Sequence, residues 1–203
     1  MAQPLALGAE DRRLLRDHRA IVGVDEVGRG SLAGPVVVCA VRWEEIPDNP
    51  LVRDSKRLTA TRRAAVATWI RSRTATWTAV EIWPEVIDRI NILEATRCAM
   101  RCSVRALRSP GDAVVVDAVD LGDGFEWAMH PIKADSQFFA VATASILAKT
   151  WRDDLMVEMA PRFGQWQWDQ NKGYGTPAHR TAVLRSGRSY LHRESFKLAS
   201  ERG

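Results

Sequence analysis

Two short apolar runs end in acids, Val22-Gly23-Val24-Asp25-Glu26 and Val114-Val115-Val116-Asp117. A third acid, Asp135, stands in Lys133-Ala134-Asp135-Ser136, just ahead of a long stretch with helical patterning. Strands buried side by side bring carboxylates distant in sequence together at their ends, where like charges repel unless a cation intervenes. Oxygen ligands without His or Cys suit Mg2+ or Mn2+ better than zinc. Two such ions can clamp the attacking water and the leaving oxygen of a phosphodiester. Each acid also has an ordinary reading as a turn former or helix cap, and Asp120, Asp123 and Asp154 are placed in that class. Adjacent Asp25 and Glu26 point to opposite faces of a strand, so both serve one site only if the strand ends or distorts there.

Between the first two runs lies Gly28-Arg29-Gly30-Ser31-Leu32-Ala33, which formally satisfies a dinucleotide-binding fingerprint. That fingerprint requires a helix to open at its last glycines, whereas Gly34-Pro35 and then Val36-Val37-Val38 follow here, which is strand material. The dinucleotide reading is therefore rejected. What is left is a tight loop, either a plain hairpin turn or a backbone surface that a sugar-phosphate chain can approach beside Arg29. Arg53, Lys56, Arg57, Arg62, Arg63, Arg71 and Arg73 crowd one stretch, broken by Asp54, and read equally as a solvated helix face or a polyanion-facing surface.

The elements that must position these groups follow from patterning. Ile21–Val24 and Pro35–Val41 read as neighbouring strands, and Thr74–Trp83 and Ala113–Val116 as two more, with residues 125–132 as a further short one. Thr59 caps a helix of about residues 60–72. Pro84 opens one long helix, with Val86, Ile90, Leu93 and Arg97 along it at roughly helical spacing. Another runs from Phe138 to about Met159, and a last one from Thr176-Pro177 to Gly187. Strands interleaved with helices give an α/β or α+β fold around a central sheet.

The 203 residues suit a single domain, 1–203, with residues 1–18 as a lead-in whose first dozen are flexible, and about 160–203 as a helical C-terminal part. Lys and Arg number 29 against 25 acids, a net charge of +4 that permits a polyanionic partner without requiring one. No run approaches the roughly 18–20 apolar residues of a membrane span, and no secretory signal opens the chain. Cys39, Cys98 and Cys102 show no disulfide or zinc spacing, which points to a reducing, cytoplasmic compartment. Cys98 and Cys102, four apart, read as two small buried thiols on one helix face.

Taken in order, these motifs resemble the ribonuclease HII family over about residues 20–197. Val24 to Val37 resembles its opening signature, Asp54-Ser55-Lys56 its D-S-K element, and Asn91-Ile92-Leu93-Glu94-Ala95-Thr96 its N-I-x-x-A-T helix. Lys133-Ala134-Asp135, then Ala144-Ser145-Ile146-Leu147-Ala148-Lys149 and Arg152-Asp153, is similar to its K-G-D…A-S-I-x-A-K-x-x-R-D stretch. Asn171-Lys172-Gly173-Tyr174-Gly175-Thr176 with His179, and His192-Arg193-Ser195-Phe196, resemble its closing motifs. The resemblance implies a ribonuclease H-like fold, a mixed central sheet flanked by helices. It implies cleavage of the RNA strand of RNA–DNA hybrids and incision 5′ of single ribonucleotides in duplex DNA, leaving a 3′-hydroxyl and a 5′-phosphate. By position, Asp25, Glu26, Asp117 and Asp135 resemble a four-carboxylate site for Mn2+ or Mg2+, two ions with substrate bound. Gly28, Arg29 and Gly30 resemble the loop that reads the ribose 2′-hydroxyl, Tyr174 the tyrosine that packs on the neighbouring sugar, and Ser55 and Lys56 phosphate contacts. The expected partners are RNA–DNA hybrid and ribonucleotide-containing DNA, with no membrane and a monomeric protein. The rivals are another two-metal nuclease of similar fold and a non-catalytic hybrid-binding module. Three positions depart from the pattern. Ala118 and Ala134 replace usual glycines, and Ser31 stands where Pro or Cys is frequent; an added Cβ at 118 or 134 matters if that backbone needs a positive φ.

Overall fold

A computed structural model describes residues 7–48, 50–53, 58–74 and 76–198. Ser55, Lys56 and Arg57 fall outside these residues. Four strands, β1 (Ile21–Val27), β2 (Val36–Trp43), β3 (Trp77–Ile82) and β4 (Ala113–Val116), form one sheet in the order β3-β2-β1-β4. β1 runs antiparallel to β2, β2 antiparallel to β3, and β1 parallel to β4. The sheet is therefore mixed.

Alternation along the strands sends side chains into two layers. Ile21, Val37, Cys39, Val41 and Val115 pack under the long helix Phe139–Met159, whereas Val22, Val24, Val38, Ala40, Val114 and Val116 pack under Ile92–Leu107. In chain order the helices are α1 (Ala9–Leu14), α2 (Pro50–Arg53), α3 (Ala60–Arg73), α4 (Pro84–Ile90), α5 (Ile92–Leu107), α6 (Phe139–Met159), α7 (Trp168–Asn171) and α8 (Pro177–Ser186). The C-terminal part after α6 is mostly helical and builds a separate apolar cluster of Phe163, Trp166, Trp168, Val183 and Leu191, joined by Met156 of α6 and by Leu32 and Ala33 of the glycine loop. Among the described residues no helix is long and apolar enough to cross a membrane.

Where the sequence expects one helix from Pro84, there are two. Asn91 adopts φ 65° and its Oδ1 accepts from Leu93 N and Glu94 N, so it ends α4 and caps α5. The expected apolar stripe is wrong as well. Val86, Ile90 and Leu93 are 40%, 38% and 38% exposed, while Ile87, Ala95, Ala99, Met100 and Val104 are buried. Cys98 and Cys102 consequently lie on the exposed side of α5, not in the core; only Cys39 of the three is buried. Residues 125–132 form no strand, because Met129 makes a single bridge to Val115 and then the chain turns away.

The lead-in also proves to be structural from Gly8 onward. Asp11 is fully buried, and its carboxylate accepts from Phe139 N at 2.7 Å and Ala140 N at 3.0 Å. Phe138, at the start of α6, has no side-chain cap of its own, so an acid 128 residues away satisfies two of the helix's orphan donors. Replacing Asp11 by Ala should lower unfolding free energy by about 1–3 kcal/mol, since two buried N–H groups lose their partner. A urea titration reads this as a lower midpoint at unchanged slope; an unmoved midpoint would show that α1 does not brace α6.

Candidate active site

Gly23 sets the distance between α6 and the sheet. A Cβ built there would lie 2.1 Å from the Ala140 carbonyl carbon and 2.4 Å from Val141 N, so strand and helix touch backbone to backbone. Two residues further on the same face, Asp25 is 7% exposed and hydrogen-bonds the side chain of Ser145, one turn along α6. Its Oδ1 also accepts from Glu26 N at 2.8 Å. Asp117, at the end of β4, accepts from Ala134 N at 2.6 Å. That bond ties it to the 3-10 turn Ala134–Ser136, which carries the buried Asp135. The later part of β1, the end of β4 and one turn thus deliver three acids to the α6 side.

Glu26 differs. β1 does not end at Asp25 but continues to Val27, so alternation sends Glu26 towards the other face. Pairing with β4 stops at Val24–Val116, which leaves room beyond that edge for Glu26 to feel the charge of Asp117. Its Oε1 receives Arg29 Nη1 at 3.3 Å, while its Oε2 is buried without a hydrogen-bond partner.

Burial, then the charges of Glu26 and Asp117, push the Asp25 carboxyl well above the usual carboxylate range. Burial, and then Asp117, raise Glu26 against the opposing pull of Arg29. Among the described residues no three His, Cys, Asp or Glu side chains close into a ready metal cage. The donor set nevertheless suits a hard divalent cation: oxygens only, gathered negative charge, and the orphaned Glu26 Oε2. A small hard cation commonly takes one or two carboxylates and fills its shell with water and substrate phosphate, so a closed protein cage is not needed.

The glycine loop stands beside these acids, and its shape is fixed by two fully buried arginines that sequence reasoning left without a role. Arg152 of α6 donates to the carbonyls of Pro35, Ala33 and Lys172 and to Ser31 Oγ, at 2.8–3.0 Å. Arg193 donates to the carbonyls of Gly34 and Arg29. Gly28 has φ 90°, and a Cβ there would come within 2.3 Å of Arg152 Nε, so main chain and guanidinium demand glycine together. Gly30 is the opposite case: exposed, with nothing within 4 Å of an added Cβ. Tyr174 is brought to the same loop through a backbone bridge to Ser31, and its ring lies 5.4 Å from Lys149 Nζ and 5.1 Å from the Arg152 guanidinium carbon. An arginine within an otherwise apolar helical face, as Arg152 is in α6, was the available sequence signal for a buried cation.

α3 presents Arg62 and Arg71 to solvent, with Arg63 3.5 Å from Asp153. Of the two alanines that replace glycines, Ala118 holds φ 52° and Ala134 does not need a positive φ; there the left-handed residue is Lys133, φ 58°. Ala118→Gly should therefore stabilise the protein by about 1 kcal/mol, the cost of a left-handed Cβ, and Ala134→Gly should not; equal urea midpoints for parent and Ala118→Gly would show that the strain is relieved elsewhere. A second expectation concerns charge. A carboxyl whose folded-state affinity for protons is raised contributes stability below the unfolded carboxylate range and loses it as pH rises through the folded value. Asp25→Asn in chelator should thus gain stability over the parent as pH rises towards neutrality. A difference between the two proteins that stays flat with pH would contradict the raised proton affinity that burial and the neighbouring charges give Asp25.

The model of the family described as Ribonuclease HII matches residues 22–199. Curated relatives include the ribonuclease HII of Pelodictyon phaeoclathratiforme, 43% identical with 88% of this chain and 89% of the relative covered. That of Geobacter sulfurreducens is 42% identical, covering 96% and 90%. Among solved structures, the ribonuclease H2 of Pyrococcus horikoshii superposes with a TM-score of 0.72 at 22% identity, covering 88% of this chain and 94% of the other. Bst-RNase HIII in complex with Mn2+ superposes at 0.64 and 18% identity, covering 92% and 69%. At these identities the structures speak for the fold, a ribonuclease H-like mixed sheet flanked by helices. The family model and the sequence relatives, each spanning nearly the whole chain, go further: this chain belongs to the ribonuclease HII family.

Proposed function

We propose that this protein is an endoribonuclease that cuts the RNA strand of RNA–DNA hybrids and incises duplex DNA 5′ of a single embedded ribonucleotide, leaving a 3′-hydroxyl and a 5′-phosphate. One observation carries the reading: carboxylates that raise one another's proton affinity, with Glu26 Oε2 buried and unbonded, lie beside an exposed glycine backbone of fixed shape. The first suits phosphodiester hydrolysis, and the second suits recognition of a 2′-hydroxyl by main chain.

Asp25, Glu26, Asp117 and Asp135 would hold the cofactor, a divalent cation, Mn2+ or Mg2+, as two ions when substrate is present. Such ions supply Lewis acidity to the attacking water and charge stabilisation to the leaving 3′-oxygen. The Mn2+ complex of the similar Bst-RNase HIII supports a divalent requirement. Asp25 is oriented by Ser145 and by Glu26 N, and Asp117 by Ala134 N, so both carboxylates meet substrate already placed. Gly28, Arg29 and Gly30 present main chain to the ribose, with Gly30 leaving room for close approach. Tyr174 stacks on the sugar one step along, and Ser55 and Lys56 contact the backbone phosphates. The protein is expected to act as a monomer in a reducing cytoplasm, where the exposed thiols of Cys98 and Cys102 stay free.

The testing substrate is labelled duplex DNA with one ribonucleotide, offered with Mn2+, with Mg2+ and with chelator beside an all-DNA control. Metal-dependent incision 5′ of the ribonucleotide alone is expected, and cleavage of the control would replace the reading by a general two-metal nuclease. Asp25→Asn and Asp117→Asn should abolish cleavage while keeping hybrid affinity within a few-fold, on the order of 1 kcal/mol; normal turnover in either would remove these acids from the chemistry. Gly30→Ala should fold as the parent does and lose preference for ribonucleotides more than affinity for duplex. An unchanged preference would dismiss the loop as the reader.

A further inference from the structure

Two buried histidines join the elements that flank the proposed ribose pocket, and neither has a part in the chemistry described so far. His179, in the first turn of α8, and His192, in the C-terminal segment, face each other Nε2 to Nε2 at 3.1 Å. His179 is fully buried and His192 is 3% exposed.

The partners fix both tautomers. The Tyr174 carbonyl can only accept, so His179 Nδ1, 2.9 Å away, carries a proton. Its Nε2 then offers a single lone pair, towards which Trp168 Nε1–H points at 3.3 Å and His192 Nε2 lies closer, at 3.1 Å, so the two donors share it. The Ser189 hydroxyl, 2.8 Å from His192 Nδ1, can donate or accept, but the Ser189 amide at 2.9 Å can only donate, so His192 Nδ1 is the acceptor there. His192 must therefore carry its proton on Nε2 and donate it to His179 Nε2. The direction is single: Ser189 N–H to His192, His192 to His179, His179 to the Tyr174 carbonyl. An extra proton on either ring would set donor against donor. Burial lowers the proton affinity of both imidazoles, that of His192 to about 4 with help from His179 and Arg188. The rings of Trp166 and Trp168 cover the His192 side, and the Arg188 guanidinium is turned to the carbonyls of Arg193, Glu194 and Phe196. Both histidines are thus neutral at neutral pH.

The ends of this chain of bonds matter. The backbone of His192 bridges Ala33 of the glycine loop, and Arg193 N donates to Leu32 O. At the other end, Tyr174 bridges Ser31 through its backbone. One end is thus anchored on the far part of the loop and the other on the residue that faces its near part. We propose that His192 and His179 are positioning residues for substrate choice: their neutral, directional hydrogen-bond relay holds the Tyr174 main chain, and hence its ring, at a set place opposite Gly28-Arg29-Gly30. This rests on the reading of Tyr174 as the residue that packs against the sugar beside the ribonucleotide. The relay tunes selection between an isolated ribonucleotide and a continuous RNA strand, and leaves the carboxylates untouched.

The test compares kcat/KM on duplex DNA bearing one ribonucleotide with kcat/KM on a continuous hybrid, in the metal-loaded full-length protein. His179→Phe deletes the donor to the Tyr174 carbonyl, whereas His179→Asn keeps an amide N–H close to where Nδ1 stood. The ratio should fall about three- to tenfold in His179→Phe, the worth of one lost hydrogen bond, and return largely to the parent's in His179→Asn. Tyr174→Ala should lower the same ratio, and adding His179→Phe to it should lower it no further. A scaffold role alone would depress both substrates alike and leave the ratio fixed. A lowered ratio in Tyr174→Ala beside an unchanged ratio in folded His179→Phe overturns the relay; an unchanged ratio in Tyr174→Ala overturns the reading of Tyr174 and this use of the relay with it. Should the variants fail to fold, heteronuclear NMR of the imidazole nitrogens in the parent decides. A proton on His179 Nδ1 and His192 Nε2 at neutral pH supports the proposal, and either opposite tautomer overturns it.

Discussion

Backbone contact between β1 and α6 at Gly23 is the constraint from which the rest of this molecule follows. A side chain at that position would have nowhere to go, because the Ala140 carbonyl occupies the space. With the helix pressed so close, Ser145 reaches Asp25 and Arg152, two turns on, reaches the carbonyls of the glycine loop. The same closeness makes the start of α6 a buried helix end, and buried donors need a partner. Asp11 supplies it from the other end of the chain. The short helix α1 is therefore part of the mechanism's support although it lies far from the chemistry in sequence.

Charge is distributed with equal economy of means. On one side of the glycine loop stand acids that burial and mutual repulsion make reluctant to ionise. Beneath the loop stand two fully buried arginines whose hydrogen bonds, among the described residues, go to main-chain carbonyls and one hydroxyl and to no carboxylate. Burying a guanidinium costs several kcal/mol unless its donors are met, and here meeting them dictates the path of residues 29–35. The loop is held as a rigid surface by cations whose charge is left partly unspent. A polyanion approaching that surface encounters favourable potential from below, and a divalent cation encounters it from the acids alongside.

Much of this was legible from residue types. The acid that follows β4, the rejection of a dinucleotide loop for want of a following helix, the caps at Thr59 and Thr176, and the boundaries of α6 all rest on local chemistry, and the structure agrees with them, whereas β1 runs on past Asp25 to Val27. Failures came where the deciding interaction was long-range or rotational. Asn91 interrupts an otherwise continuous helical pattern because its side chain caps the next helix more effectively than it continues the last. Once broken, the helix turns a different face inward, which exposes Cys98, Cys102, Val86 and Leu93. Asp11 could not be read as a cap, since the helix it caps begins 128 residues later. The arginines were visible as letters, but their burial depends on carbonyls that only the folded loop aligns. The expectation about Ala118 and Ala134 divided cleanly: the Cβ is strained at 118, and the strain near 134 sits on Lys133 instead.

That strain is informative about how tightly the acids are specified. Ala118 and Lys133 flank the two partners of one bond, Asp117 Oδ1 to Ala134 N, and both are left-handed. Two non-glycine residues in that region together cost on the order of 2 kcal/mol or more, comparable to or larger than the usual net worth of the single hydrogen bond between them. The bond alone therefore does not maintain the geometry. The surrounding structure must impose it: β4 pairs with β1 up to Val24, Asp117 N donates to Val24 O, and Ala118 N donates to Pro131 O. Backbone on both sides of Asp117 is thus fixed before its side chain is considered. A carboxylate held in this way cannot retreat from Asp25 and Glu26, whose proton affinity its charge helps to raise. The left-handed residues, costly to folding, are what keep that charge in place at the end of β4.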